Sequence, residues 1–224
     1  MTAALLFDLD GTLIDSDPVH LRAFQSVFAA HGVAVDQAIF TARIQGFGNA
    51  AIGDYFLPHL SEADRAAALE AKEAHFRQSL EGAEPIAGIG ALLDFAAARD
   101  VDCAVVTNAP RANVEAELAA LGLIERLTVW VLGSELERPK PDPLPYLTAL
   151  ERMGAEAGRS LAFEDSLSGL NAARDAGLAV VGLTTTLPAD RLLAAGAVLA
   201  VANFADPRLV PLIESRIAIA RKDA

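Results

Sequence analysis

The residues most capable of chemistry are two carboxylates, Asp8 and Asp10, in an apolar stretch that reads AALLFDLDGTL from residue 3 to residue 13. Side chains at positions i and i+2 of an extended segment point the same way, so these carboxylates can converge just past a strand. Like charges at one point must be offset by a divalent cation, a shared proton or a lysine. The stretch indicates phosphoryl transfer, although Asp-Gly-Thr could also be a turn whose carboxylates bind local backbone amides.

Three further groups of polar residues follow apolar runs later in the chain. Thr107 and Asn108 end one run, Lys140 lies in the proline-rich segment RPKPDP, and Glu164 and Asp165 end another run. Because open parallel sheets bind ligands at the carboxyl ends of their strands, we expect these groups to lie near the first carboxylates. The prolines on either side of Lys140 restrict its backbone, which suits a charged side chain that must be held in a fixed orientation.

Each of these groups also has a purely structural interpretation. Asn108 could cap the helix that follows it, and Thr107 could bind local backbone. Glu164 or Asp165 could cap the next helix, and Lys140 could be an ordinary solvated lysine. The four groups taken together are a more specific signal than any one of them.

The apolar pattern predicts the elements that must position these residues. From residue 85 onward, short apolar runs alternate with helical patterns, which is typical of a doubly wound parallel sheet. After the first strand, the predicted strands cover residues 101–107, 128–132, 161–163, 179–183 and 198–201. The predicted helices between them cover about 88–99, 110–121, 142–153, 168–176 and 189–195.

Residues 15–83 interrupt this alternation, because they carry helical patterns and no strand pattern. Helices are predicted from about residue 17 to Gly32, over 38–44, over 50–57, and from a Ser61 cap to about Leu80. We therefore expect an α/β protein with a Rossmann-like core of residues 1–14 and 84–224, into which residues 15–83 are inserted as a helical cap. A module hinged next to Asp10 would cover the site.

The composition of the chain limits the classes of partner that it is expected to bind. The 224-residue chain is 53% hydrophobic, which is enough for a sizeable core, and its formal net charge is −12. Nucleic acid and anionic membranes require clustered Lys and Arg, so a small molecule is the expected partner. Neither a signal peptide nor an apolar run of about 18 residues is evident, so we expect no membrane span and a cytoplasmic location. We expect a monomer or a weak homodimer.

The segments DLDGT, TN, RPKPDP and FEDS, in this order, resemble the four motifs of the haloacid dehalogenase-like superfamily. The helical insertion after the first motif resembles the mobile cap of a subgroup that includes phosphoglycolate phosphatases, sugar-phosphate phosphatases and beta-phosphoglucomutases. This resemblance implies a small phosphorylated metabolite as substrate. It also implies a nucleophilic role for Asp8, which would form an aspartyl-phosphate, and an acid/base role for Asp10.

The resemblance further implies how phosphate and metal are held. Thr107, Asn108 and Lys140 would bind the phosphoryl oxygens. Mg²⁺ would be held by Asp8, the backbone carbonyl of Asp10 and Asp165, with Glu164 as a ligand or an outer partner. True dehalogenases and phosphonate hydrolases of this superfamily lack a carboxylate at the position of Asp10, so an oxygen ester is favoured.

The insertion is expected to distinguish a phosphatase from a mutase. Asn49 stands where the mutases carry an arginine for a second phosphate, and Gln45 replaces a lysine, which favours a hydrolase. Arg43 and Lys72 could substitute, so a phosphosugar mutase stays an alternative, and a non-catalytic binding protein is a third possibility. The insertion residues expected to contact substrate are His20, Gln45, Gly46 and Asn49.

Overall fold

The computed structural model describes residues 2–45 and 47–218 of the chain. Gly46, one of the predicted substrate contacts, lies outside the described residues. The described residues form two compact units, one drawn from residues 2–15 and 84–218 and the other from residues 16–45 and 47–83.

Six strands and ten α-helices are found among the described residues. The strands are β1 Ala4–Phe7, β2 Asp102–Thr107, β3 Val129–Leu132, β4 Leu161–Glu164, β5 Ala179–Leu183 and β6 Leu199–Val201. The helices are α1 Asp17–Ala29, α2 Gln37–Arg43, α3 Asn49–Phe56, α4 Glu62–Gln78, α5 Ile89–Ala97, α6 Arg111–Ala120, α7 Leu144–Met153, α8 Leu167–Asp175, α9 Ala189–Ala194 and α10 Leu209–Ala218.

The larger unit is built on one parallel sheet in the order β3-β2-β1-β4-β5-β6. The central strand β1 is buried along its whole length, because helices of a doubly wound fold cover both faces of such a sheet. The chain winds outward from β1 in both directions, so β1 and β4 flank the point where the strand order reverses. Open α/β sheets bind ligands at this point, beyond the carboxyl ends of the strands.

The predicted doubly wound Rossmann-like sheet is confirmed, and the strand limits differ from expectation by one residue at most after β1. One of those differences matters for the site, since β4 extends to Glu164. The C-terminal helix α10 is absent from the predicted elements. Leu209 and Ile213, four residues apart and both buried, are the helical signal that could have revealed it.

The smaller unit consists of α1 to α4 packed around an apolar core. The core is rich in aromatic and aliphatic side chains: Phe24, Phe28, Val35, Phe40, Ile44, Ile52, Leu57, Ala68 and Leu69. Ser61 caps α4 as predicted, because its hydroxyl accepts a hydrogen bond of 3.2 Å from the backbone N–H of Asp64. No helix among residues 2–45 and 47–218 is long and apolar enough to cross a membrane.

Candidate active site

The carboxyl edge of the sheet gathers residues from all four predicted groups. Parallel pairing of Phe7 with Val105 and with Phe163 aligns β1 with β2 and β4, so the residues that follow these strands emerge side by side. The backbone N–H of Asp8 continues this pairing with a 3.0 Å hydrogen bond to the carbonyl of Phe163. Residues far apart in sequence therefore share one small volume.

Lys140 is at the centre of this volume. Its ammonium group donates to Asp8 Oδ1 at 2.7 Å, to Glu164 Oε1 at 2.6 Å and to the carbonyl of Val106 at 2.6 Å. Only 7% of the residue is exposed. The interpretation of Lys140 as an ordinary solvated lysine is therefore wrong.

The site carries more negative than positive charge. Asp8, Glu164 and Asp165 are all buried, and each offers a carboxylate oxygen within 4.8 Å of the others. If all three are ionised, their charge of −3 and the +1 of Lys140 leave a net −2 for these four groups. Three carboxylate oxygens with this surplus charge are a donor set that fits a hard divalent cation such as Mg²⁺.

The pKa of the Asp8 carboxyl is raised in this site. Burial raises the pKa of the Asp8 carboxyl to about 7, against the opposing charge of Lys140 and with help from the charge of Glu164. Burial alone would lower the pKa of Lys140, but Asp8 and Glu164 outweigh it and raise that pKa. Lys140 is accordingly a cation at neutral pH, while Asp8 lacks full compensation.

Asp10 is half-buried on the turn that follows β1, and its charge is among those that raise the pKa of Asp8. The turn is closed by a 2.7 Å hydrogen bond from Gly11 N–H to the carbonyl of Ile14. Gly11 has φ +76°, and a Cβ there would overlap the carboxylate of Asp165. Glycine at this position therefore lets the turn approach a predicted metal ligand.

Thr107 and Asn108 have different contacts. The hydroxyl of Thr107 accepts a 3.0 Å hydrogen bond from Ala109 N–H, which is the local backbone contact considered above. Asn108 does not cap α6, which begins after Pro110 without a side-chain cap. Its amide instead donates to the carbonyl of Lys140 at 3.0 Å and accepts from Lys140 N–H at 3.1 Å. Asn108 thus fastens the segment that carries the lysine.

Glu164 is fully buried and is also not a helix cap, since the Ser166 hydroxyl caps α8 by accepting from Gly169 N–H at 3.1 Å. Its Oε1 accepts from the Tyr146 hydroxyl at 2.6 Å as well as from Lys140. A Cβ at Gly169 would overlap this carboxylate, so glycine allows α8 to pass close to it. The capping interpretation of Asp165 is wrong for the same reason, because Ser166 occupies the cap.

Tyr146 was not predicted as a site residue. It is fully buried on α7, and burial together with the charge of Glu164 raises the pKa of its hydroxyl well above the usual value. A buried tyrosine needs a hydrogen-bond partner, and this one lies on the helix directly after the RPKPDP segment. The place on that helix is visible in the sequence but the burial is not, so the sequence alone does not mark Tyr146 as a site residue.

Two threonines after β5 were also missed. The hydroxyl of Thr186 donates to Asp165 Oδ2, and the hydroxyl of Thr185 donates to the carbonyl of Gly11. β5 is thereby the fifth strand whose carboxyl end contributes to this edge. Nothing in a run of three threonines distinguishes such contacts from ordinary turn residues.

The smaller unit contains its own buried polar cluster. Lys72 and Glu73 are 2% and 5% exposed, and their ammonium and carboxylate groups are 2.7 Å apart. His20 stacks on Phe76 with a centroid distance of 3.8 Å, and its Nδ1 is 3.4 Å from the Lys72 ammonium group. Asn49 donates to Glu73 at 2.6 Å. The cluster explains why these polar side chains are tolerated inside the unit.

The remaining insertion residues have local partners. Gln45 donates to Asp17 at 2.5 Å, and the Arg43 guanidinium lies 5.0 Å from the centroid of the Tyr55 ring. Whether His20, Gln45 or Asn49 contacts a substrate stays a prediction.

The sequence of the chain matches a protein family and several phosphatases. The model of a family described as haloacid dehalogenase-like hydrolase matches residues 5–183. Validoxylamine A 7'-phosphate phosphatase of Streptomyces hygroscopicus subsp. limoneus is 32% identical over 89% of this chain and 93% of its own length. Phosphoglycolate phosphatase of Rhodospirillum rubrum is 32% identical over 92% and 89%, respectively.

One solved structure extends the comparison to three dimensions. CbbY from Rhodobacter sphaeroides, in complex with xylulose-1,5-bisphosphate, has a TM-score of 0.81 and 29% identity to this chain. The match covers 92% of this chain and 96% of the CbbY chain.

Proposed function

Since the chain belongs to the haloacid dehalogenase-like hydrolase family, we propose that it hydrolyses a small phosphomonoester with Mg²⁺ at the carboxyl edge of its sheet. The reaction class follows from relatives named as phosphatases of phosphorylated carbohydrates and of phosphoglycolate, and this chain is a phosphomonoester hydrolase of small metabolites. The observation that carries the residue assignment is the bridging of Asp8 and Glu164 by buried Lys140.

In the proposed reaction, a carboxylate oxygen of Asp8 attacks phosphorus and forms an aspartyl-phosphate as the bond to the ester oxygen breaks. Asp10 gives its proton to the departing oxygen, which leaves as an alcohol. Asp10 then takes a proton from water, whose oxygen attacks the phosphorus of the aspartyl-phosphate. Inorganic phosphate leaves, and the Asp8 carboxylate is regenerated with Asp10 protonated.

Mg²⁺ would be held by Asp8, Asp165 and the backbone carbonyl of Asp10, and when bound it would supply positive charge to the phosphoryl oxygens. The cluster of three buried carboxylates supports this proposal. The contacts of Glu164 favour an outer role, because one of its oxygens already accepts from both Lys140 and Tyr146.

We propose that the transferring phosphoryl group is held by Lys140, Thr107 and Asn108. Lys140 keeps its charge at neutral pH and is fixed on three sides, so it needs no reorganisation when charge develops. Asn108 would contribute chiefly by fixing the backbone of Lys140.

A release assay tests the proposal. Purified protein with Mg²⁺ is incubated with sugar phosphates, phosphoglycolate and nucleotides, and inorganic phosphate is measured with and without EDTA. We expect release from at least one small phosphomonoester and loss of release with EDTA. Folded protein that releases no phosphate from the whole panel would sink the proposal.

A phosphosugar mutase is the second candidate, favoured by the helical insertion and by His20. Two contacts weigh against it. Lys72 pairs with Glu73 inside the smaller unit, so it is not an uncompensated cation for a second phosphate. Asn49 is neutral, and its amide already donates to Glu73. Conversion of a sugar 1-phosphate to its 6-phosphate without net phosphate release would establish the mutase instead.

We further propose that the smaller unit selects the substrate through His20, Gln45, Gly46 and Asn49. The cytoplasmic location and the monomer or weak homodimer stay predictions. If the protein only bound its ligand, fluoroberyllate with Mg²⁺ would raise its melting temperature while no phosphomonoester was hydrolysed.

A further inference from the structure

Three consecutive threonines follow β5, and two of them bind the candidate site. Thr186 donates its hydroxyl hydrogen to Asp165 Oδ2, and Thr185 donates to the carbonyl of Gly11. Thr184 is half-buried like the other two, but its hydroxyl has no hydrogen-bond partner among the described residues. The chain therefore offers a matched comparison within three positions.

We propose that Thr186 is a positioning residue that sets how tightly the chain holds its divalent cation. It acts by fixing the rotation of the Asp165 carboxylate, and Thr185 assists by holding the turn at Gly11. This inference rests on the proposed function, because it takes Asp165 as a ligand of that cation.

The packing around Asp165 leaves its carboxylate little freedom. The residue is 5% exposed, and the backbone of Gly11 lies so close to Oδ2 that a Cβ at Gly11 would overlap it. The same imagined Cβ would be 3.0 Å from Thr186 Oγ1. Gly11 and Thr186 thus form two sides of a slot for one carboxylate oxygen.

The Thr186 hydroxyl supplies the hydrogen bond that the Asp165 oxygen requires in this slot. A carboxylate oxygen in a nearly dry environment is costly unless it accepts a hydrogen bond. Without the Thr186 hydroxyl, the Asp165 oxygen would be less well satisfied and its carboxylate would rotate more freely. Outer partners of metal ligands typically change metal affinity by about 10- to 100-fold through such orientation.

Thr185 extends the effect to the other side of the site. The carbonyl that it binds belongs to Gly11, the residue next to Asp10, whose own backbone carbonyl is a proposed ligand. Holding one peptide of a tight turn restricts the orientation of the preceding peptide. Thr185 therefore aids the same function less directly than Thr186.

The test is a Mg²⁺ titration of the full chain, read by the rise in melting temperature without substrate and by phosphate release with substrate. Thr186→Val should raise the Mg²⁺ concentration for half-maximal response about tenfold in both readouts. Activity should recover at saturating Mg²⁺. Thr186→Ser restores the hydroxyl and should return the Mg²⁺ requirement to within about twofold of the wild type.

Thr184→Val is the matched control and should leave the Mg²⁺ requirement unchanged. Thr186→Ala provides a second test if the valine does not fit. The inference is overturned if the Thr186 variants keep the wild-type Mg²⁺ requirement, or if Thr184→Val shifts it equally. Wild-type protein that responds to Mg²⁺ in neither readout overturns the proposed function itself, which separates the two failures.

Discussion

Each unit of this protein buries a lysine beside carboxylates, and the two lysines differ in where their partners come from. Lys140 bridges Asp8 and Glu164, which are 132 and 24 residues away along the chain. Lys72 pairs with its neighbour Glu73. The larger unit thus assembles its charges from several strand ends, whereas the smaller unit pairs adjacent residues on one helix.

The difference distinguishes the cluster that we propose to be reactive from one that fills a gap between helices. Around Lys140, a third carboxylate from Asp165 lies close by, and the pKa of Asp8 is raised to about 7 because burial is not fully offset. A charge surplus of this kind costs stability and is retained where a ligand or a reaction needs it. A buried pair such as Lys72 and Glu73 is sufficient to fill a polar gap between helices.

The largest effect is expected from Asp8→Asn. Removing the proposed nucleophile should lower kcat by about 10⁴-fold or more, since groups that act as a unit fail together. The substitution is nearly isosteric and removes an incompletely compensated buried charge, so the circular dichroism spectrum should be preserved and the melting temperature at pH 8 should be no lower than that of the wild type. Turnover close to that of the wild type would show that the nucleophile is elsewhere.

The second prediction compares the two lysines directly. Lys140→Met should lower kcat by about 10²- to 10³-fold and unfolding free energy by about 3–5 kcal/mol, because it strands two buried carboxylates. Lys72→Met should also destabilise by roughly 3 kcal/mol, yet change kcat by less than about tenfold. Urea unfolding and steady-state kinetics measure both quantities.

A second substitution controls for stranded charge. Lys72→Met combined with Glu73→Gln removes both charges of the smaller cluster and should recover part of the lost stability. Equal losses of kcat in the Lys72 and Lys140 variants would show that the two clusters do not differ in their contribution to turnover.

Tyr146→Phe tests whether the hydroxyl that binds Glu164 matters for turnover. A hydrogen bond to a charged group is worth about 1.5 kcal/mol, which corresponds to about tenfold in kcat if it is expressed in the transition state. Tyr55→Phe is the control, because Tyr55 is the other tyrosine of the chain and is 56% exposed. If both variants keep wild-type kcat, Tyr146 serves packing alone.

The smallest effect is a pH dependence of stability in metal-free protein. The folded pKa of Asp8, about 7, lies above its unfolded value, so the folded state binds the extra proton between about pH 4 and pH 7. This group therefore lowers stability as pH rises through that window. Melting curves in EDTA should show Asp8→Asn gaining on the wild type by at least about 3 °C from pH 5 to pH 8. A constant difference would contradict the raised pKa.

Much of the fold could be predicted because its signals are local. Leu5 and Leu6 lie in a short apolar run that closes with turn residues, and β5 begins and ends where its run does. Pro110 and Gly122 bracket α6 by backbone rules alone. The helix α10 was missed although its segment, LVPLIESRIA, carries apolar residues at helical spacing.

The candidate site could be predicted only in part. Recognisable motifs contain Asp8, Lys140 and Asp165, and the pairing of parallel strands brings the ends of those strands to one edge of the sheet. The partners of those residues have no such signal. Tyr146 and Thr186 have ordinary neighbours in sequence, and their contacts with Glu164 and Asp165 depend on how helices and loops pack over the sheet.

The sequence by itself determined the type of sheet and the positions of the polar residues that end its strands, because these follow from local patterns and from the geometry of parallel strands. Only the tertiary structure decided which oxygen each donor reaches. Lys140 became a bridge between Asp8 and Glu164, and Asn108 became an anchor for its backbone, because packing at ångström scale selects among contacts that the sequence leaves equally possible.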